Sequence, residues 1–175
     1  VLSLVSHIGE IQKKGTPDIE FAVVGLLARS QVDMGHADDA LHVVEMLRER
    51  FEEAGERRFF PNIDALLCRI HLHLDQLEEA EVWYREKAPK DPLHLNVMKR
   101  YQYLTQAMAE ISAGHLEAAL FTLAPLELYC KECARYIDGI HLNVLKAIAL
   151  NRKKDSEWKA CLKKALETAR EFDFI

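Results

Sequence analysis

The sequence predicts an all-α fold, a right-handed α-solenoid of about nine helices that pair as helical hairpins with a period near 40 residues. Two observations on the repeat predict it. A glycine or aspartate followed five residues later by alanine recurs four times at near-constant spacing, and apolar or small residues precede it at helical intervals. In addition, only 7 glycines and 5 prolines occur in 175 residues, few for a chain with many tight turns.

The recurring pairs place a turn residue before a helix crossing. Glycine adopts a positive φ without steric cost, and aspartate tolerates it better than most residues. Alanine five residues later lets the second helix of a hairpin cross the first closely. The alanines are 40, 39 and 41 residues apart. The pairs are Gly35 with Ala40, Asp75 with Ala80, Gly114 with Ala119, and Asp155 with Ala160.

The residues before each turn share one helical face. Seven positions upstream lie Ala28, Cys68, Ala107 and Ile148, and the positions three residues before them and four residues after them are mostly apolar or small. Because offsets of 3 and 4 fall on the same side of a helix, this face is predicted to pack inside each hairpin.

Start and stop signals place the individual helices. Thr16-Pro17 and Asp91-Pro92 each combine a capping residue with a proline suited to a first helical turn. Pro125 falls inside the seventh predicted helix, where a kink or break is expected, and Pro89 ends the fifth helix early. We expect helices over 1–14, 17–34, 38–54, 61–74, 78–88, 93–113, 116–134, 139–153 and 157–172, in a single repeat domain over 1–175 that is a piece of a longer chain.

Composition excludes several classes of protein. The net charge is −5 and the pI is about 5.9, so a basic face for nucleic acid is not expected. No apolar run reaches the length of a membrane span, and the first residues lack a secretory signal pattern. Four cysteines are too few for a disulfide framework, which favours free thiols in the cytoplasm.

The G-x-x-x-x-A turns, with Pro92 twelve residues after Ala80, resemble tetratricopeptide units with a longer period. The segment 107–175 further resembles the superhelical sensor domain of the large LuxR-type (MalT-like) transcriptional activators. In that family a turn glycine is followed five residues later by Ala-Leu. A later helix has the pattern I-x-x-x-V-L-x-A-x-A-L, and the pattern A-L-x-x-A-L-x-x-A lies near the end of the domain. The matching residues are Gly114, Ala119, Leu120, Val144, Leu145, Ala147, Ala149, Leu150, Ala165, Leu166 and Ala169.

The resemblance implies a ligand- or partner-binding sensor domain of a transcriptional regulator. Its parent would carry a nucleotide-binding switch domain before this chain and a DNA-binding helix-turn-helix after it. Here there is no phosphate-binding loop motif and no basic recognition helix, so this part is not expected to bind nucleic acid itself. The effector is an unknown small molecule or protein. Two alternatives are a free-standing tetratricopeptide adaptor and a peptide-binding quorum-sensing receptor domain.

Catalytic and metal-binding patterns are absent from the sequence. Cys130 and Cys133 form a lone C-x-x-C, whereas a structural zinc site needs four ligands. His71 and His73 are two positions apart, so on a helix their rings point in nearly opposite directions. No arrangement of nucleophile and base stands out. The chain is therefore predicted to be a non-enzyme without metal or cofactor.

One candidate ligand wall follows from the repeat. Arg29 and Arg69 occupy the same offset in successive repeats, and the first helices of a superhelix tend to face its concave side. Partly buried arginines there would bind carboxylate, phosphate or sugar hydroxyls. The alternative is ordinary surface charge, with arginines paired to nearby carboxylates. The predicted wall consists of Arg29, Asp33, Arg69, His73 and Tyr101.

Overall fold

The computed structural model describes Gly9 and residues 15–91 and 94–174, and it confirms the all-α prediction. These residues contain eight α-helices and no strand, one helix fewer than expected. The first predicted helix, over 1–14, lies outside them apart from Gly9. The helices are α1 Pro17–Asp33, α2 Ala37–Glu53, α3 Phe60–His73, α4 Leu77–Glu86, α5 Arg100–Ser112, α6 Leu116–Glu132, α7 Tyr136–Arg152 and α8 Trp158–Glu171.

All of the described helices except α4 end in turns of one kind. In each, a left-handed residue follows the helix, and the next amide donates to the carbonyl five residues back, as His36 does to Gln31 at 2.8 Å. This is the Schellman arrangement, which satisfies carbonyls at a helix end. The left-handed residues are about 20 positions apart, with one step of 39, so each 40-residue period contains two helix-and-turn units. They are Gly35, Gly55, Asp75, Gly114, Ala134, Lys154 and Asp173.

The fourth predicted turn is shifted by one residue. The left-handed residue is Lys154, with φ of 60°, and not Asp155. The Asp155 carboxylate instead accepts from the Glu157 amide at 3.0 Å, an Asx-type turn that precedes α8. Because α8 then starts at Trp158, Ala160 is exposed on the outer side of its first turn instead of lying at a helix crossing.

The same shift moves the packed face of α7. Ala147 is buried at the position seven before Lys154, whereas Ile148, predicted for that place, is 40% exposed. In the other three repeats Ala28, Cys68 and Ala107 are buried as expected, together with Ala40, Ala80 and Ala119.

Two predictions made from prolines are wrong: the start of α5 at Asp91-Pro92 and a kink or break of α6 at Pro125. Helix α5 is preceded by a 3-10 turn at Val97–Lys99 whose N-cap is Asn96, so the helix does not begin at Asp91-Pro92. Asp91 instead accepts the His94 amide at 3.2 Å. Helix α6 runs through Pro125 without a break, because Leu123 and Leu126 on either side of it are buried and hold the helix by packing.

The chain divides into two compact units, Val1–Trp83 and Tyr84–Ile175. In the first, α1, α2 and α3 pack in sequence, and α1 also touches α3. Phe59 joins them, with its ring centroid 5.0 Å from that of Phe51 and 5.1 Å from that of Phe21. Arg50 reaches the buried Glu20 carboxylate at 2.8 Å and ties α2 to α1.

In the second unit, α5 to α8 pack in sequence, and α5 also touches α7. Arg152 of α7 donates to the Ile111 carbonyl at 2.6 Å, so a cation satisfies a carbonyl at the end of α5. Within the described residues, no helix of either unit combines the length and apolarity needed to cross a membrane. The core of the second unit consists of Tyr103, Leu104, Ala107, Ile111, Ala119, Leu123, Leu126, Leu142 and Ala149.

Candidate functional site

A cavity of about 400 Å³ lies among α6, α7 and α8. The turn at Ala134 creates it, because the Arg135 amide donates to the Cys130 carbonyl at 2.9 Å and brings the end of α6 beside the start of α7. Helix α8 contributes Lys164 and Thr168 to the lining. Small-molecule sites in proteins have volumes of about 300–1,000 Å³. The cavity is therefore large enough for a small ligand.

Cations predominate around this cavity. Its lining contains three cationic side chains, Lys131, Arg135 and Lys164, and one carboxylate, Glu127. The chain as a whole has a net charge of −5. A local excess of positive charge in an acidic protein favours an anionic occupant.

Glu127 connects the three helices around the cavity. Its carboxylate accepts from Lys146 of α7 at 2.6 Å and from Lys164 of α8 at 3.1 Å. Burial opposes ionisation of Glu127, but the hydrogen bonds and charges of the two lysines outweigh it and hold its pKa below the ordinary value. The carboxylate is thus ionised at neutral pH and neutralises part of the cationic lining.

The other two cations differ in how they are held. The Arg135 guanidinium lies 2.9 Å from the Asp138 carboxylate, and the Arg100 guanidinium lies 3.3 Å from the same carboxylate. One carboxylate therefore forms ion pairs with two guanidinium groups. Lys131 is exposed and forms no ion pair with any residue that the structure describes. Lys131 therefore has its full hydrogen-bonding capacity available to an anion.

The opposite wall combines apolar surface with one buried amide. Leu142, Tyr136 and Gly139 of α7 line it. Asn143 is 5% exposed, and its Nδ2 donates to the Gly139 carbonyl at 2.7 Å. Among the described residues this is the only hydrogen bond of the Asn143 side chain, so its amide oxygen and second N–H remain for water or a ligand.

The predicted ligand wall lies elsewhere. Arg29 and Asp33 are exposed on α1, and α3, which touches α1, carries a half-buried Arg69 and an exposed His73. Tyr101 belongs to α5 in the second unit. None of the five lines the cavity described above. The ligand role of these residues stays a prediction.

The four thiols form no disulfide. All four cysteines are free, with Cys68 and Cys130 buried and Cys133 exposed. Burial raises the pKa of Cys68 to about 12 and that of Cys130 to about 11, so neither is a nucleophilic thiolate at neutral pH. In the part of the chain that the structure describes, no three histidine, cysteine or acidic side chains converge as a metal site would require.

A buried carboxyl lies in the core between α5 and α6. Glu110 is 2% exposed, and its Oε1 accepts from Gln106 at 2.9 Å and from Thr122 at 3.3 Å. Burial raises the pKa of Glu110, against the smaller effects of the hydrogen bonds from Gln106 and Thr122 and of the charge of His115. Oε1 of Gln106 is buried and has no hydrogen-bond donor among the described residues.

We expect Glu110→Gln to increase the stability of the protein at neutral pH and to change it little in acid. A carboxyl whose pKa is raised by folding contributes its full stability below the unfolded value near 4.5 and loses it as pH rises through the folded pKa. The neutral amide avoids this loss. Thermal unfolding between pH 4 and pH 8 measures the difference.

The control for this prediction is Glu132→Gln on the exposed end of α6. It removes the same charge without changing a buried group. If the two variants differ from the parent protein by the same amount at every pH, Glu110 does not ionise in a buried environment and the prediction is wrong.

The repeat pattern did not predict the cavity, although the sequence contains one signal for it. Gly139 lies five residues after Ala134, the same spacing as each turn glycine and its alanine, but an alanine in the turn position gave no reason to look there. Comparison with protein-family models, curated proteins and solved structures gave no match to this chain.

Proposed function

We propose that this chain is a ligand-binding helical-repeat domain that acts as the sensor or interaction domain of a larger regulator. The observation that carries the proposal is the cavity, because its lining comes from three consecutive helices, α6, α7 and α8. A ligand there contacts all three helices at once. Its binding energy then favours one arrangement of the helices over others, which is the requirement for a sensor.

The regular turns support a repeat architecture. Left-handed residues recur about every 20 positions, and each helix of α5 to α8 packs on the next. We propose that the successive helix-and-turn segments form a right-handed α-solenoid of tetratricopeptide-like hairpins. In such an array each unit contacts only its neighbours, so a change at one hairpin alters the pitch of those beside it.

The resemblance of 107–175 to the LuxR-type (MalT-like) sensor domains supports a role in transcription regulation. In this proposal the parent protein binds DNA through another domain, whereas this acidic, cytoplasmic part binds neither DNA nor membrane and performs no catalysis. The gene sequence around this chain tests that placement. A phosphate-binding loop upstream and a helix-turn-helix downstream support it, and their absence favours an adaptor.

A thermal-shift screen with metabolites, sugars and peptides tests the binding function. A ligand of the native state, present at ten times its Kd, adds about 1.4 kcal/mol of stability. The decisive variant is Gly139→Leu, which fills the cavity. A Cβ at Gly139 meets only Cys130 Cβ, at the ordinary distance of 3.8 Å, and leucine is a better helix former than glycine. The variant should fold and lose the ligand-induced shift.

The matched control is Ala124→Leu, which adds a leucine on the exposed side of α6. It should keep the full ligand-induced shift. A compound that stabilises the parent protein and Gly139→Leu equally binds outside the cavity, and the site proposed here is then wrong. If only protein partners bind, and do so equally well to both variants, the adaptor function replaces the sensor function.

A further inference from the structure

We infer that the cavity among α6, α7 and α8 binds a small anionic amphiphile, a molecule with an apolar body and one carboxylate, sulfonate or phosphate group. The inference rests on the proposed binding function and adds the chemical class of the ligand. Three features of the cavity carry it: an uncompensated cation, a cation that a carboxylate holds reversibly, and an apolar wall with one polar side chain.

Lys131 and Lys164 bind the anionic group of the ligand. They line the cavity from α6 and α8. Lys131 has no carboxylate partner in the described residues. Arg135 also lines the cavity, but it shares Asp138 with Arg100, so its charge is only partly neutralised. The side chains that line the cavity include three cations and one carboxylate, an excess of two positive charges. A ligand with a single anionic group reduces that excess to one.

The apolar body of the ligand packs against α7. Leu142 is fully buried and Tyr136 stacks on Phe172 with ring centroids 3.7 Å apart, so this wall is held in position before a ligand arrives. Asn143 provides a single buried amide. An apolar wall with few fixed polar groups is typical of small-molecule sites, and it does not fit a free inorganic anion, which would leave the wall hydrated.

Glu127 competes with the ligand for Lys164. In the structure the Lys164 Nζ lies 3.1 Å from the Glu127 carboxylate, and the side chain of Lys164 is more than half exposed. An anionic ligand gives this lysine a second partner. Loss of the Glu127 carboxylate should therefore strengthen ligand binding, whereas loss of either lysine should weaken it. A purely structural role would make all three substitutions act in the same direction.

Two fluorescent dyes that differ in one group test the inference. They are 1-anilinonaphthalene-8-sulfonate and the neutral N-phenyl-1-naphthylamine, titrated against the whole chain at low salt. Since hydrogen bonds to charged groups are stronger than neutral ones, we expect the sulfonate dye to bind about ten-fold more tightly. Lys131→Gln and Lys164→Gln should each weaken it about three- to ten-fold without affecting the neutral dye. Glu127→Gln should strengthen it.

The matched control is Lys153→Gln, which removes a lysine that pairs with Glu117 outside the cavity. Sulfonate-dye affinities that fall equally for Lys131→Gln and Lys153→Gln would overturn the inference, because the effect would then be general charge. Each variant is checked by its thermal unfolding curve, since partly folded protein with exposed apolar surface also binds the dye. If Lys131→Gln does not fold, Lys164→Gln is compared with the control in the same way.

Failure of this inference is distinguishable from failure of the proposed function. If the two dyes bind equally, and Gly139→Leu abolishes both, the cavity binds ligands but does not prefer anions. If Gly139→Leu leaves the sulfonate dye bound, the dye lies elsewhere and the inference is wrong, while the thermal-shift screen still decides the binding function. If neither dye binds the parent protein, an anionic amphiphile of this size is excluded.

Discussion

Leu123→Ala is expected to lower the free energy of unfolding by about 2–5 kcal/mol, the usual effect of deleting a fully buried leucine side chain. Leu123 is 0% exposed and lies on α6 within the core of the second unit. Its neighbours there come from α5 and α7 as well as α6. Because three helices hold the surrounding side chains in place, the cavity left by the alanine collapses only partly.

Leu128→Ala on the same helix is the matched control. Leu128 is 59% exposed, so the same atoms are removed from a side that faces solvent. Exposed substitutions of this kind change stability by about 0.5 kcal/mol or less. Urea unfolding of both variants measures the difference. The dependence of the unfolding free energy on urea concentration should have the same slope in the variants as in the parent protein. Equal losses would mean that α6 is rotated from the orientation described here.

The sequence predicted the helices well because the chain marks their ends locally. Glycine in a left-handed turn gives a signal that does not depend on the rest of the fold, and Gly35 and Gly114 adopt that conformation. Seven of the eight described helices begin and end within three residues of their predicted positions. Only α5 starts late, because a 3-10 turn capped by Asn96 precedes it and the predicted start at Asp91 is not used.

Turns without glycine were harder to locate. Ala134 and Lys154 adopt positive φ, which costs a residue with a side chain roughly 1–2 kcal/mol. Tertiary packing of the adjoining helices offsets that cost, and packing has no signature in a short stretch of sequence. At Asp155 the sequence predicts a left-handed turn, but an aspartate also accepts well from a backbone amide two residues on, and its carboxylate accepts from the Glu157 amide instead.

The cavity could not be predicted from the sequence for a different reason. Its two lysines, at 131 and 164, are separated by two turns and the whole of α7, so their proximity depends on how three helices pack. The repeat pattern determines which residues face inward within a hairpin. It does not determine where neighbouring helices leave a gap, because a gap depends on the size of side chains such as the missing one at Gly139.

Ala119 and Ala160 hold equivalent positions in the repeat pattern but lie in different environments in the structure. Ala119→Leu should lower the free energy of unfolding by about 1–3 kcal/mol, because added methyl groups in a closely packed crossing force neighbouring side chains apart. Ala119 is 0% exposed and belongs to the core where α5 and α6 meet. Ala160 is exposed on the first turn of α8.

Ala160→Leu should therefore be close to neutral, within about 0.5 kcal/mol, as exposed substitutions usually are. Thermal unfolding of the two variants beside the parent protein makes the comparison, since each gains the same side-chain atoms in a helix. A loss for Ala160→Leu as large as that for Ala119→Leu would restore Asp155 as the turn residue and place Ala160 at a crossing. The one-residue shift of the fourth turn to Lys154 predicts the opposite result, because it directs Ala160 to solvent while Ala165 and Ala169 face the core.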